Sequence, residues 1–171
     1  MPDFDLRPDC THCDALCCVL LAFDLSTAFA LAKPACTACP NLAGDNACTI
    51  HASLNDRGFP GCVAFDCHGA GQRLTSQLFK DRSWRDDPGL MPAMDNAFRI
   101  LRRLHEAMAL LQHAATLPLD ATQQVTRQTL LTNLATDWTE ADLQGPSPTA
   151  ALRDADRFIA SLRAAVTPPR P

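Results

Sequence analysis

Nine cysteines carry the chemistry of this chain, and their placement is uneven. Four fall within nine residues, Cys10-Thr11-His12-Cys13-Asp14-Ala15-Leu16-Cys17-Cys18, and Cys36, Cys39, Cys48, Cys62 and Cys67 follow. The chain has 171 residues and no cysteine beyond Cys67. Thiolates ligate zinc and iron–sulfur clusters, so this segregation points to a thiolate-bound centre. A straight helix over residues 10–18 would place Cys10, Cys13 and Cys17 on one face. Seven residues of helix rise about 10.5 Å, whereas sulfurs around one zinc sit roughly 3.8 Å apart. The segment is therefore a loop, or its cysteines divide between two metals or serve a larger cluster. Adjacent side chains diverge in helices and strands, so Cys17 and Cys18 serve different centres, or one of them only packs.

The later thiols follow the same logic. Cys36 and Cys39 form a C-x-x-C unit between Pro34 and Pro40, a spacing that lets two thiolates grip one ion across a tight turn. The βαβ pattern that would mark this unit as a thioredoxin-like redox motif is not seen. Gly58-Phe59-Pro60-Gly61 reads as a turn delivering Cys62, and Gly69-Ala70-Gly71 follows Cys67. Those glycines let backbone N–H groups approach a thiolate. They lack the P-loop lysine and the full dinucleotide fingerprint needed to cradle phosphate. His12, His51 and His68 each lie within three residues of a cysteine. Each is an accessory candidate for a Cys₃His site, or plainly a half-exposed neighbour. His105 and His113 read as ordinary residues of the helical part. No Ser/His/Asp set or carboxylate pair compels an enzyme reading.

Composition narrows the setting. The net charge of −4 and pI near 5.6 lack the basic face of a nucleic-acid binder. The first nine residues show no apolar signal region. The apolar run from Ala15 to Phe23 is too short to span a bilayer. These features are read as a cytoplasmic protein without a membrane partner, where thiols stay reduced and dense cysteine means metal or redox chemistry rather than disulfides. The odd cysteine count also disfavours complete pairing.

The elements that must hold the thiols are mostly helical. Val19 to Phe23 fits a short strand or the continuation of a helix. Ser26 to Ala32 predicts a helical turn, and Cys48 to Arg57 a short helix with Ile50 and Leu54 inward and Gly58 as its C-cap. Residues 80–89 are a polar stretch. Met94, Ala97, Phe98, Leu101, Leu104, Met108, Leu111 and Ala115 repeat at helical spacing, an amphipathic helix of about 22 residues. Arg99, Arg102 and Arg103 crowd one turn of it and read as a solvated face or, alternatively, a contact for a protein partner. Pro118 ends it, and Asp120 caps a second helix burying Leu130, Leu131, Leu134 and Trp138. Gly145, Pro146 and Pro148 read as a linker to a third helix with Leu152, Ala155, Ile159, Leu162 and Val166 inward. The expected fold is mainly α: a small irregular Cys-rich metal-binding lobe over 1–75, a helical region of about three helices over 76–167 packed on it, and a disordered tail at 168–171. The lobe is expected to have little apolar core of its own and to be largely disordered without metal.

The cysteine order resembles the YkgJ-type cysteine-cluster family, described as a zinc- or iron-chelating domain. The shared pattern is Cys10-x2-Cys13-x3-Cys17-Cys18, a later Cys39, Cys48-x-Ile50-His51, and Gly61-Cys62-x4-Cys67. Residues 10–72 are also similar to the Cys-rich N-terminal segment of some bacterial pentapeptide-repeat proteins. The resemblance implies that Cys10, Cys13, Cys17, Cys18, Cys39, Cys48, Cys62 and Cys67 are the metal ligands, with Cys36 an extra thiol. His51 replaces the usual aromatic, the Arg-Pro that commonly follows is absent, and the tail has no pentapeptide repeat. Some relatives of that family are parts of iron–sulfur protein-methylating enzymes; no cofactor domain for that activity is present here.

The expected cofactor is zinc, in two sites of structural or chelating role. The alternatives are a [4Fe–4S] redox or catalytic protein and a helical interaction module with a structural zinc. Two tetrathiolate zincs would take the formal charge from −4 to about −8, with Arg7, Arg57 and Arg73 near enough in sequence to offset part of it.

Overall fold

The computed structural model describes residues 5–163; the expectations for Val166 and for the tail at 168–171 lie outside them. Among the described residues the fold is mainly α, with no sheet and two isolated β-bridges, Phe23 with Lys33 and Leu42 with Cys48. Its helices are α1 (Leu16–Leu20), α2 (Pro60–Ala64), α3 (Ala70–Arg73, running into a π turn at Leu74–Leu78), α4 (Met91–His113), α5 (Ala121–Leu134), α6 (Glu140–Gln144) and α7 (Ser147–Ser161).

The central element is α4. Its 3–4 repeat buries Met94, Phe98, Leu101, Leu104, Met108 and Leu111. Each such side chain stabilises the fold by about 1.5–3 kcal/mol relative to exposure. The outer face carries i,i+4 ion pairs, Arg99 to Asp95 at 2.8 Å and Arg102 to Glu106 at 3.7 Å. The arginine turn is thus largely a self-paired solvated face. After Pro118, α5 opens on a capping box in which Asp120 accepts from the Gln123 N–H at 2.8 Å and Gln123 Oε1 accepts from the Asp120 N–H at 3.0 Å. Helices α4, α5 and α7 pack pairwise. Leu130 and Leu134 are buried as expected; Leu131 and Trp138 are partly so.

Several expectations fail for identifiable reasons. The supposed linker at Gly145, Pro146 and Pro148 is not one. Gly145 ends α6, and Pro148 stands in the first turn of α7, where its missing N–H has no helical partner to lose. Residues 26–32 form bends rather than a helical turn. The Phe23–Lys33 bridge closes this excursion with backbone bonds of 3.0 and 2.8 Å, and Phe23 stacks on Phe29 with centroids 4.5 Å apart. The apolar run after Cys18 ends as helix at Leu20, and Leu21 is extended. The helix expected from Cys48 reduces to one 3₁₀ turn at His51–Ser53, although Gly58 does take positive φ (82°) at its end.

The cysteine-bearing part is also not without an apolar core. Leu16, Val19, Leu20, Ala70 and Leu74 are fully buried and belong to the same cluster as Met94, Phe98 and Leu101 of α4. The polar stretch at 80–89 fastens the cysteine loops. Trp84 Nε1 donates to the Asp14 carbonyl at 2.8 Å, and Arg85 donates to Asn46 Oδ1 at 2.7 Å and to the Ala43 carbonyl at 2.8 Å.

Candidate metal centre

The segment at residues 10–18 avoids the straight helix that would have kept its thiols apart. Cys10–His12 is one 3₁₀ turn, Cys13 is extended, and Ala15 takes the left-handed conformation (φ 55°) before α1 begins at Leu16. This break folds Cys10, Cys13 and Cys17 toward one point. Cys67 reaches the same point through two consecutive left-handed residues, His68 (φ 49°) and Gly69 (φ 76°). The four cysteines, with Pro8, Asp9, Gly71, Gln72 and Phe98, line one cavity of about 20 Å³. Gly71 is required there, because a Cβ would lie 2.6 Å from Cys13 Sγ. Gln72 closes the outer side by accepting from the Asp9 N–H at 2.6 Å and donating to the Arg7 carbonyl at 2.9 Å.

Cys18, Cys39, Cys48 and Cys62 neighbour one another as well. The Cys39 N–H donates to the Cys18 carbonyl at 3.0 Å. The charges that press most on Cys62 are those of Cys18, Cys39 and Cys48, and Cys48 in turn feels Cys18 and Cys39. Gly61, preceding Cys62, lies under the Phe29 ring, where a Cβ would come within 2.3 Å of the ring. The bend at 26–32 is thereby locked onto the start of α2. The sulfurs of Cys17 and Cys18 do not diverge as adjacent side chains in a regular element would: they lie 3.9 Å apart, in contact with each other. Among the described residues, no group of three or more Cys, His, Asp or Glu side chains is gathered closely enough to hold a metal ion.

Burial and neighbouring thiols set several of these cysteines apart from ordinary ones. Burial pushes the Cys13 and Cys62 thiols up to about 11. Cys10 is raised by burial and then by the charges of Cys67, Cys18 and Asp9. Cys17, hydrogen-bonded to Cys18, is held well above the ordinary thiol range by that contact and by burial. Cys18 is brought down to about 7, first by that hydrogen bond and then by Lys33. Apart from Cys18, thiols so placed keep their protons at neutral pH unless a metal takes the proton's place. N–H groups of Leu16 and Ala15 point at Cys13, and that of Ile50 at Cys48. These supply the N–H···S contacts that sequence reasoning sought from Gly69–Gly71.

The accessory candidates stand apart. His12 Nδ1 pairs with Asp9 at 2.7 Å, His68 Nδ1 lies 3.6 Å from Asp66, and His51 is exposed. Cys36 sits at positive φ (54°) with its N–H on the Leu20 carbonyl at 3.3 Å. Two of the arginines expected to offset the cluster are engaged elsewhere. Arg7 pairs with Asp5, and Arg73 donates to the Thr136 carbonyl at 2.5 Å and to His105 Nε2 at 3.3 Å. The cation beside the thiols is Lys33, which sequence reasoning passed over. It is one of two lysines in the chain, set in the apolar run Ala30-Leu31-Ala32 before the C-x-x-C unit. A lone lysine in that context was the available signal.

No protein-family model matches this chain, and no solved structure matches it. The chain is similar to the uncharacterized protein YybG of Bacillus subtilis (strain 168), at 40% identity over 111 residues. That match covers 65% of this chain, and it spans 40% of the relative's length. No helix among the described residues is long and apolar enough to cross a membrane.

Proposed function

We propose that this protein binds two zinc ions through eight thiolates, one held by Cys10, Cys13, Cys17 and Cys67 and the other by Cys18, Cys39, Cys48 and Cys62, in a structural or chelating role. The observation that carries this reading is the convergence of Cys10, Cys13, Cys17 and Cys67 on one cavity of about 20 Å³. That space suits a single atom-sized occupant, since one water needs roughly 10–15 Å³. The resemblance of the cysteine order to the YkgJ-type pattern supports the same ligand set, and Cys36 remains outside it. Tetrathiolate zinc is a closed, tetrahedral site with no open position for substrate, so the role is to hold structure or metal rather than to activate water.

Elemental analysis and an absorbance spectrum of protein purified without oxygen test this. The expected result is about two zinc per chain and no band near roughly 400 nm. Iron with acid-labile sulfide would replace zinc with an iron–sulfur assignment, and absence of bound metal would defeat both.

A further inference from the structure

Lys33 is 4% exposed, and its ammonium is fully engaged. Nζ donates to the carbonyls of Val19 at 3.0 Å, Pro34 at 3.0 Å and Thr37 at 2.7 Å. Among the described residues no carboxylate comes within ion-pair distance of it. Three carbonyls satisfy the N–H groups but leave a full charge in a poorly solvated place, which is costly unless an anion answers it. Burial pulls the Lys33 pKa below its ordinary value, and the groups that act against this are sulfurs: Cys39, Cys18, Cys36 and Cys17 favour its charged form. Its contacts also join the two backbones that carry ligands. Val19 follows Cys18, Thr37 precedes Cys39 by two residues, and the Cys39 N–H already rests on the Cys18 carbonyl.

We infer that Lys33 is the built-in counter-ion of the centre formed by Cys18, Cys39, Cys48 and Cys62, offsetting part of the charge of its thiolate shell and holding Cys18 and Cys39 in register. This rests on the reading of those cysteines as zinc ligands. A zinc with four thiolates carries a net −2, and the buried ammonium brings that side of the molecule to −1. Of the centre around Cys10, Cys13, Cys17 and Cys67, only Cys17 is among the sulfurs that Lys33 answers. The two sites are therefore unequal by design of charge, although both use thiolates alone.

The test is zinc affinity by competition with a chromophoric chelator, in wild type, Lys33→Gln and Lys33→Arg. Glutamine keeps an N–H donor for the carbonyls and removes the charge; arginine keeps the charge. Lys33→Gln should loosen one zinc equivalent by on the order of tenfold to a hundredfold and leave the other unchanged, the range for losing a group that supports metal ligands. Lys33→Arg should recover most of that loss. In a Cys13→Ser background, where the affected centre is the one retained, the single remaining zinc should be the loosened one. Equal weakening of both equivalents, no weakening, or equal loss in the glutamine and arginine variants overturns the counter-ion role while leaving the two zinc sites standing. Wild-type protein that takes up fewer than two zinc defeats the site assignment itself, and the role of Lys33 with it.

Discussion

Residues 91–161 and residues 21–67 are held by different forces. In the first stretch, α4, α5 and α7 bury leucines, methionines and a phenylalanine against each other. In the second, only Lys33 and Phe59 are buried, and the chain is shaped by turns, two β-bridges and scattered backbone bonds. Fixing a residue costs about 1–2 kcal/mol of backbone entropy, and apolar burial inside 21–67 does little to offset it. The helical part is explained by its own side chains. The loop part calls for a further source of free energy, and on the function proposed above bound metal supplies it.

The comparison breaks most sharply on metal removal. Stripping zinc should withdraw on the order of 10 kcal/mol per structural site. Amide exchange should become fast across 21–67 while α4 and α5 stay protected. Persistent protection of 21–67 after chelation would show that the loops hold themselves. Single thiols come next. Cys13→Ser and Cys67→Ser should each lose one zinc, Cys39→Ser should lose the other, and Cys36→Ser should keep both, as read by native mass spectrometry. An equal loss from all four would contradict the partition.

On the helical side, Leu104→Ala should cost about 2–5 kcal/mol from the cavity it leaves. It should lower Tm without altering the zinc count; a change in zinc content would mean that the two stretches are less separable than they look. Acid gives a smaller effect. His105 is buried, with Nδ1 donating to the His68 carbonyl at 2.6 Å, and burial holds its pKa at about 4 against an ordinary 6.5. The unfolded chain takes up that proton first. Stability is therefore full above 6.5 and is lost as the pH falls toward about 4. His105→Gln should flatten that decline in urea melts followed by circular dichroism. Smallest is Asp120→Ala, which removes one cap and about 1 kcal/mol, readable as a shift in the same melts.

Sequence reading served the two stretches unequally. The periodicity of α4 and the pairing of Asp120 with Gln123 are local signals, so those elements were legible. α6 and the π turn at Leu74–Leu78 are too short to show a period. The path of residues 21–34 depends on Phe29 meeting Gly61, more than thirty residues away, and no window around either residue carries that information. The divergence expected of the adjacent Cys17 and Cys18 is not what the fold shows, since their sulfurs meet at 3.9 Å. The arrival of Cys67 beside Cys10, Cys13 and Cys17 could not be anticipated, because it turns on left-handed backbone at His68 and Gly69. Lys33 was missed because a lysine in a loop reads as solvent-facing until the fold buries it.

The adjacency of Cys17 and Cys18 has a topological consequence. One set of ligands begins before Cys18 and ends at Cys67, and the other begins at Cys18 and ends at Cys62, so the second set is nested inside the first like inner parentheses. Closing the inner ring through Cys18 and Cys62 shortens the outer gap from Cys17 to Cys67 from roughly 50 residues to roughly six, which lowers the entropy of outer closure by about 2 kcal/mol. The help is mutual, because closing the outer ring shortens the inner gap from roughly 44 residues to the same roughly six; on the proposed partition, whichever ion binds first draws together the frame for the second.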